Sequence, residues 1–373
     1  MRRVFHVVKK ELLQLRQDRK MIPLLVVAPL LQLLVFGFAA NQDVNDIPTL
    51  LVDRDRSPAS RALVDRFTGS GHFQLVGVTD DLGAIDDQLL RGTAQIALVI
   101  GDRYGDDLAA HRAPRVQVIA DGTDSTSAMI GMSYAARIIG GAGAEALQQR
   151  LGRRLGSAPR LELVPRVWYN PDLKTRRFFL PAILAMVLMM TAMILPSMAI
   201  VREKEIGTLE QLIVTPIRSW ELILGKLLPF AVISVLDLLL IVALIRFGFG
   251  MPLAGSLGAL VVLSLPFVLT TLALGLFVST LVRNQQQAMM TSMFLVMVPM
   301  IYLSGLMFPI ENMPPVLQTA TYAIPLRYYT NIIRGVFLKG SGFAVLWTDA
   351  AVLLGFGVAI LALASLRFRK SLD

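Results

Sequence analysis

The chain has 373 residues, 54% of them hydrophobic, and a mean hydropathy of +0.60. Soluble domains usually contain about 45–50% apolar residues by a count that also includes glycine, so this composition predicts an integral membrane protein. Cysteine is absent, which excludes disulfides and thiolate chemistry. The net charge is +9, and residues 41–177 hold 17 basic and 17 acidic residues, so the whole excess lies in or beside the apolar segments. That placement favours anionic lipid headgroups as the partner of the basic residues, and not nucleic acid.

Residues 1–20 predict an amphipathic helix that lies in the membrane interface. Phe5, Val8, Leu12 and Leu15 recur at helical spacing, with basic residues on either side of the stripe. Such a helix either anchors the chain to the inner leaflet or steers its entry into the first span, as an elbow helix does.

Six apolar runs are long enough to cross a bilayer as helices. They cover residues 21–40, 178–201, 222–245, 257–282, 288–310 and 343–366. Basic residues precede the first run and fill the tail at 367–373, so both ends are expected to be cytoplasmic. A cleaved signal peptide is the alternative interpretation of the first run, but its n-region of twenty residues is too long for that. The sequence therefore predicts a multi-pass membrane protein with both ends in the cytoplasm.

Residues 41–177 predict an α/β domain outside the membrane, inserted between the first two spans. Strand-like runs at 49–52, 73–78, 94–100 and 115–120 alternate with helical segments, one of which starts after Ser57 and another, long one near Ser125. No glycine-rich phosphate fingerprint follows a strand, so no nucleotide is assigned to this domain. The predicted fold class is an α-helical membrane protein of six transmembrane helices with this α/β insert.

Residues 311–342 are semi-apolar but contain Pro314, Pro315 and Pro325. They predict short broken helices that dip into the outer leaflet.

Motifs of nucleotide-binding and catalytic sites are missing from the sequence. No Gly-x-x-x-x-Gly-Lys-Ser/Thr loop is present, and the nearest dipeptide, Gly225-Lys226, lies within the third apolar run. The sequence therefore predicts no enzyme, no metal site and no cofactor bound by this chain.

Residues 202–221 form a charged loop between the second and third spans, on the predicted cytoplasmic side. Glu203 and Glu205 are expected near the start of a short helix, where the helix dipole favours acids. Leu209, Leu212 and Ile213 follow as an apolar patch at i, i+3 and i+4. An exposed apolar patch on such a loop indicates a contact with another protein, the alternative being a solvated helix with no partner.

Two features of the spans are candidates for a role in transport. Asp237 lies in the middle of the third span, where an acid is costly and is either a functional site or a packing device. Lys226, at the inner end of that span, is expected to extend towards the headgroups. Methionines recur on one face of the second span and on one face of the fifth. These faces either form a flexible surface along which apolar cargo passes or pack against other helices in the ordinary way. The methionines of these faces are Met186, Met190, Met193, Met293 and Met297.

At the charged loop the chain resembles the permease subunits of type-2 ATP-binding-cassette (ABC-2) exporters. The shared motif comprises Glu205, Gly207, Thr208, Glu210, Leu212, Thr215 and Pro216. The large insert, with Val52-Asp53-Arg54-Asp55 and Asp121-Gly122-Thr123-Asp124, is similar to the drug- and ion-efflux branch.

The resemblance implies a dimer of identical or sister permeases, each docked to an ABC ATPase subunit that carries ATP and Mg²⁺. The docking residues would form a coupling helix and are Glu203, Glu205, Gly207, Thr208, Leu209, Glu210, Leu212, Thr215 and Pro216. The resemblance also implies a bacterial inner membrane as the location and an amphiphilic compound or an ion as the cargo. A periplasmic adaptor as a further partner stays open.

Two other functions compete with export. An ion-coupled secondary transporter would use Asp237, but no internal repeat or pair of broken spans supports it. A membrane-anchored sensor would need one or two spans and a cytoplasmic output domain, and the sequence has six apolar runs and no such domain.

Overall fold

The computed structural model describes residues 2–17, 23, 27–39, 46–110, 112–152, 168–169, 175–208 and 219–370. The chain divides into two compact units. One is helical and comprises residues 1–42 and 166–373, and the other is an α/β unit of residues 43–165.

The secondary structure alternates in the α/β unit and is helical elsewhere. In chain order the α-helices and strands are α1 (Arg2–Gln17), α2 (Ala28–Ala39), β1 (Ile47–Asp53), α3 (Pro58–Gly69), β2 (Phe73–Thr79), α4 (Ala84–Leu90), β3 (Ile96–Ile100), α5 (Tyr104–Ala109), β4 (Val116–Ala120), α6 (Ser125–Gly152), α7 (Thr175–Ile206), α8 (Ser219–Ala243), α9 (Leu257–Leu281), α10 (Gln285–Met290), α11 (Val298–Leu303), α12 (Pro315–Ala320), α13 (Pro325–Arg334) and α14 (Phe343–Lys370). Three π-helical segments, Leu244–Gly248, Thr291–Met297 and Gly335–Lys339, directly follow α8, α10 and α13.

The α/β unit is built on a four-stranded sheet of order β2-β1-β3-β4. β1 pairs in parallel with β2 and β3, and β4 pairs antiparallel with β3. Every residue of β3 is buried, because apolar helices cover both faces of the sheet. On one face Phe67 of α3, Tyr104 of α5 and Ala135 of α6 pack on the strands, and on the other face Ile85 of α4 does so.

Local sequence signals explain where the elements of this unit begin. Ser57 caps α3 by accepting hydrogen bonds from the backbone N–H groups of Ala59 and Ser60, both at 3.1 Å. The strands lie where the apolar runs predict them, and each differs from its predicted bounds by one or two residues.

Five helices in the described part of the chain are long and apolar enough to cross a membrane. They are Thr175–Ile206, Trp220–Gly248, Leu257–Leu281, Gln285–Leu303 and Phe343–Arg367. A shorter apolar helix, Ala28–Ala39, falls within the predicted first span. The rest of that predicted span includes residues outside the described ones, so the sixth span remains a prediction.

α7 is the central helix of the helical unit. Most of its apolar residues are fully buried, and it packs against α2, α8, α9 and α13. The helices from Gln285 to Leu303 and from Phe343 to Arg367 are mostly exposed in the single chain, so these two present apolar surface outward.

The helix predicted over residues 288–310 ends earlier in the structure. The prediction runs to Ile310, but the helix stops at Leu303 because the backbone turns through Gly305 at φ +77°. The following segment contains a 3-10 turn at Ile310–Asn312, α12, a second 3-10 turn at Thr321–Ala323, and α13. That residues 311–342 dip into the outer leaflet stays a prediction.

Candidate functional site

The motif at the end of α7 is the candidate site, and its first half belongs to a continuous helix. The sequence predicts that the second span ends at Val201 and that Glu203 and Glu205 open a separate helix. In the structure both acids lie in the last turns of α7, which runs to Ile206. A helix C-terminus disfavours acids, so neighbouring side chains must hold them there.

Gly207 ends α7. Its φ is +76°, in the left-handed region that costs residues with a Cβ about 1–2 kcal/mol. Its N–H donates to the carbonyl oxygen of Lys204 at 3.2 Å, which satisfies one of the last backbone acceptors of the helix. Glycine at this position therefore fixes where the helix stops and where the loop departs.

Glu203 is the centre of a buried ion-pair cluster. It is only 8% exposed, and Nζ of Lys10 lies 2.7 Å from its Oε1. Nζ of Lys226, itself 3% exposed, contacts its Oε2 and also lies 3.5 Å from Oε1 of Glu11. Buried charges persist only when they are paired, so this cluster ties α1, α7 and α8 together.

The cluster perturbs Lys10, which lies on α1 at its rim. Burial would lower the pKa of Lys10, but the ion pairs with Glu203 and Glu11 outweigh it, so the pKa is raised above its usual value. The stability contributed by Lys10 is thus complete below the usual lysine pKa and is lost as the pH rises through the raised one.

α1 and α8 are in close contact beside Lys226. A Cβ added to Gly225 would lie 2.7 Å from Cβ of Val7, so only glycine permits this approach. Val7 and Glu11 lie one turn apart on the same face of α1, which meets α8. Phe5 and Leu12, of the predicted amphipathic stripe, remain exposed and free to contact lipid.

Lys204 and Glu205 extend the network to the next helices. Nζ of Lys204 donates to the carbonyl oxygen of Ser279 at 2.6 Å, in the last turn of α9. Glu205 accepts two hydrogen bonds from Gln285, from its backbone N–H at 3.0 Å and from its Nε2 at 2.6 Å. Since Gln285 opens α10, one turn of α7 is bonded to the end of α9 and the start of α10.

We call this set of residues the charged junction. It comprises Lys10, Glu11, Glu203, Lys204, Glu205, Gly207, Thr208, Lys226, Ser279 and Gln285. Thr208 belongs to it because its hydroxyl donates to the carbonyl oxygen of Glu203 at 3.4 Å. The remaining predicted docking residues, Leu209, Glu210, Leu212, Thr215 and Pro216, lie outside the described residues.

Two predictions from the sequence change at the charged junction. Lys226 does not extend to the headgroups as predicted, because Glu203 and Glu11 bind it in the interior. Glu203, predicted as a docking residue, is buried within this chain. Lys10, Glu11 and Gln285 are not singled out by any sequence motif, although a lysine in an apolar helix such as Lys226 is itself a signal that an acid must be nearby.

Asp237 lies between spans, as a second polar site. It is 4% exposed and lies close to the side chain of Thr191 of α7. Its Oδ2 has no hydrogen-bond partner among the described residues. The contact joins α8 to α7 about 16 Å from Lys226 by helix rise, so the two charged groups do not pair.

The predicted methionine face is not one surface in the single chain. Met193 and Met297 are buried at 0% and 7% exposure, whereas Met293 is 36% exposed. Met186 and Met190 are half-buried, and Sδ of Met190 accepts from Nε2 of Gln32 at 3.0 Å. Most of these side chains therefore pack between helices of this chain.

Comparisons with known proteins agree along the whole length of the chain. A family model described as "ABC-2 family transporter protein" matches residues 19–366. The chain is 30% identical over 352 residues to the probable multidrug ABC transporter permease YbhR of Escherichia coli (strain K12), covering 94% of each chain. It is also 30% identical over 375 residues to the probable multidrug ABC transporter permease YbhS of the same strain, covering 100% of this chain and 98% of that one. The inner membrane transport permease YhhJ of that strain is 28% identical over 375 residues, with the same coverage.

Proposed function

The chain belongs to the ABC-2 transporter family, and from that premise we propose that it is the permease subunit of an exporter powered by a separate ATPase. Each permease copy would dock one ABC ATPase subunit, which carries ATP and Mg²⁺. The permease itself would bind no cofactor and perform no catalysis, in line with the lack of a phosphate loop in its sequence.

The observation that carries this proposal is the charged junction. α7 passes from the centre of the helical unit to the motif without a break, and its last turns are bonded to α1, α8, α9 and α10. A force applied just beyond Gly207 would therefore reach several helices at once. Packed elements with charged, hydrogen-bonded contacts move as units, which is what a coupling device requires.

The motif divides into two roles in this proposal. Glu203 and Glu205 are positioning residues that hold the end of α7 against its neighbours. The residues that touch the ATPase begin at Thr208 and continue through Leu209, Glu210, Leu212, Thr215 and Pro216. Gly207 sets the direction in which this docking segment leaves the helix.

The proposed topology places the charged junction in the cytoplasm with both ends of the chain. It counts residues 21–40 as a span in addition to the five helices, giving six. The α/β unit and the short helices around α12 then lie outside, where the α/β unit is accessible to a periplasmic adaptor. The basic residues of α1 and the tail support this orientation.

The proposed cargo is an amphiphile or an ion, carried by a dimer of this chain with itself or with a sister permease. Two relatives are named as probable multidrug permeases, and the spans here are largely apolar. Asp237 would then serve the packing of α7 on α8 or a polar group of the cargo. Family membership favours this ATP-driven scheme over a secondary transporter that uses Asp237.

Co-purification tests the docking. The affinity-tagged permease is co-expressed with a candidate ABC ATPase subunit as wild type, as Glu210→Lys and as Glu311→Lys. Glu210 lies in the proposed docking segment, whereas Glu311 is exposed at the proposed outer side. Glu210→Lys is expected to lower the recovery of the ATPase about tenfold or more, as loss of a central interface contact does, and Glu311→Lys to leave it unchanged. Equal recovery with both variants would remove the support for docking at this loop.

A further inference from the structure

The α/β unit contains a cavity of about 600 Å³ that the function above does not use. It lies between α3, α5, α6 and β4, and all of its lining residues fall within 59–146. Its walls are apolar and small, with Ala59, Ala62 and Leu63 on α3 and Ala142 and Ala146 on α6. Sites for small molecules typically have 300–1,000 Å³ and mostly apolar walls.

One of three neighbouring glycines of α6 lines this cavity. Gly140, Gly141 and Gly143 follow one another in the middle of a 28-residue helix, where each glycine costs about 1 kcal/mol relative to alanine. Nothing in the described chain lies within 4 Å of a Cβ added to any of the three, so close packing does not account for them. Gly143 lines the cavity, where a larger side chain would reduce its volume.

The polar end of the cavity holds a hydroxyl with no protein partner. Tyr104 is only 8% exposed and lines the cavity, yet its hydroxyl forms no hydrogen bond with any described residue. Burial raises the pKa of Tyr104, with the cation of Arg66 acting in the opposite sense, so the hydroxyl keeps its proton and remains a donor. The hydroxyl oxygen itself is open to solvent through the cavity, because it is not among the fully buried atoms that lack a partner. Water can therefore bind it, and the acceptor group of a ligand can replace that water.

The charges around the cavity favour the same kind of group. Arg66 and Arg112 line it, with Glu145 as the one acid among its lining residues. Arg66 pairs with Glu145 at 2.6 Å, and Arg112 pairs with Asp107 at 2.8 Å. Both cations are therefore balanced by acids, and what the arginines offer a ligand is guanidinium N–H groups, which suit an anionic or strongly polar acceptor.

We propose that this cavity binds a compact amphiphile, with its apolar body between α3 and α6 and an anionic or carbonyl group at Tyr104 and Arg66. The site would give the α/β unit a recognition role of its own. It goes beyond the proposed export function and does not depend on it, because binding here needs neither the ATPase nor transport.

Thiol protection in the full chain tests the site, since the sequence has no cysteine and a single introduced thiol is unique. Ala142→Cys places the thiol in the cavity, and Ala144→Cys places it on an exposed position of the same helix outside the cavity. Ala62→Cys is a second reporter on the opposite wall. The probe is 8-anilinonaphthalene-1-sulfonate, an aromatic anion, added to protein in lipid nanodiscs before maleimide labelling.

At ten times its dissociation constant the probe is expected to slow labelling of Ala142→Cys and Ala62→Cys about tenfold by mass action, and to leave Ala144→Cys unchanged. The neutral analogue N-phenyl-1-naphthylamine is expected to protect more weakly. Equal slowing of all three thiols, no slowing of any, or a thiol at Ala142 that does not react even without the probe would each overturn the proposal.

Tyr104→Phe, combined with Ala142→Cys, tests the polar end. Loss of one hydrogen bond to the probe is expected to raise the concentration needed for protection about two- to tenfold. Tyr134→Phe is the matched control, because Tyr134 stacks on His72 in the same unit and does not line the cavity. The same protection curve for both tyrosine variants would exclude Tyr104 as the residue that binds the acceptor.

Discussion

Lys226 shows how a single residue can organise the charged junction. A lysine at this depth is unfavourable unless its charge is compensated, and Glu203 and Glu11 supply the compensation from two other helices. Its pairing depends on the positions of three helices at once. We therefore expect substitution of Lys226 to destabilise the protein much more than substitution of an exposed residue nearby.

Lys226→Met is expected to destabilise the protein by about 3–5 kcal/mol, the usual cost of breaking a buried ion pair by removing one partner. Lys9→Met is the control, because Lys9 is exposed on α1 beside the charged junction. The thermal unfolding midpoint in detergent is the measurement. The double variant Glu203→Gln with Lys226→Met is expected to recover part of the loss, since it leaves no uncompensated acid. A midpoint for Lys226→Met equal to that of Lys9→Met would contradict a structural role for the pair.

Gly207 should tolerate asparagine better than alanine or valine. Asparagine adopts the left-handed region more readily than other residues with a Cβ, whereas valine is strained there. ATPase activity stimulated by the reconstituted permease is expected to follow the order glycine, asparagine, alanine, valine. Full stimulation with Gly207→Val would show that the direction of the chain after α7 is unimportant for coupling.

At the scale of elements, the contact between α1 and α8 is the most sharply defined. Gly225→Ala would place a methyl group 2.7 Å from Cβ of Val7 and force the two helices apart. The expected cost is about 1–3 kcal/mol, as for other overpacked contacts. Limited proteolysis should then cut at the basic residues of α1 sooner than in the wild type.

Gly355→Ala in α14 is the matched control for this substitution. Nothing lies within 4 Å of a Cβ added to Gly355, and alanine favours the helix. It should leave both the proteolysis rate and the unfolding midpoint unchanged or slightly improved. Early cleavage of α1 in this control as well would mean that the effect of Gly225→Ala is not specific to the contact with Val7.

At the scale of the whole molecule, the proposed topology can be read from single introduced thiols. Leu90→Cys reports on the α/β unit, Asn312→Cys on the turn before α12, and Arg283→Cys on the turn between α9 and α10. A membrane-impermeant maleimide added to intact spheroplasts is expected to label the first two and to label Arg283→Cys only after permeabilisation. Labelling of Arg283→Cys in intact spheroplasts would place the charged junction outside and remove the basis of ATP-driven coupling.

Much of the architecture could be predicted because the signals are local. The apolar run Ile96–Ile100 and the cap at Ser57 are signals within short stretches of sequence, so the predicted strands and helix starts lie within a few residues of the observed ones. The partners of Glu203 could not be predicted, because Lys10 and Lys226 lie 193 and 23 residues away in the chain. The sequence predicts the end of α7 too early for a related reason, since the acids there are stabilised by tertiary contacts and not by helix propensity.

The methionines of the helix Gln285–Leu303 show a second reason why a periodic sequence pattern can give a wrong prediction. Met289, Met293, Met297 and Met300 recur at the spacing of one α-helical face, yet the first two are exposed and the last two are buried. The π-helical segment Thr291–Met297 includes Met293 and Met297 and has wider turns, so spacing in the sequence no longer indicates a shared face.

The π-helical segment Thr291–Met297 affects where members of this family can lose a residue. A relative lacking one residue within 291–297 could close the segment into an ordinary α-helix and keep both flanks facing the same way. The helix Leu257–Leu281 is α-helical throughout and contains no π-helical turn. The same deletion there would rotate all later residues of the helix by about 100° and turn its buried face towards lipid. In alignments of relatives, a one-residue gap should therefore be tolerated within residues 291–297 and be rare within Leu257–Leu281.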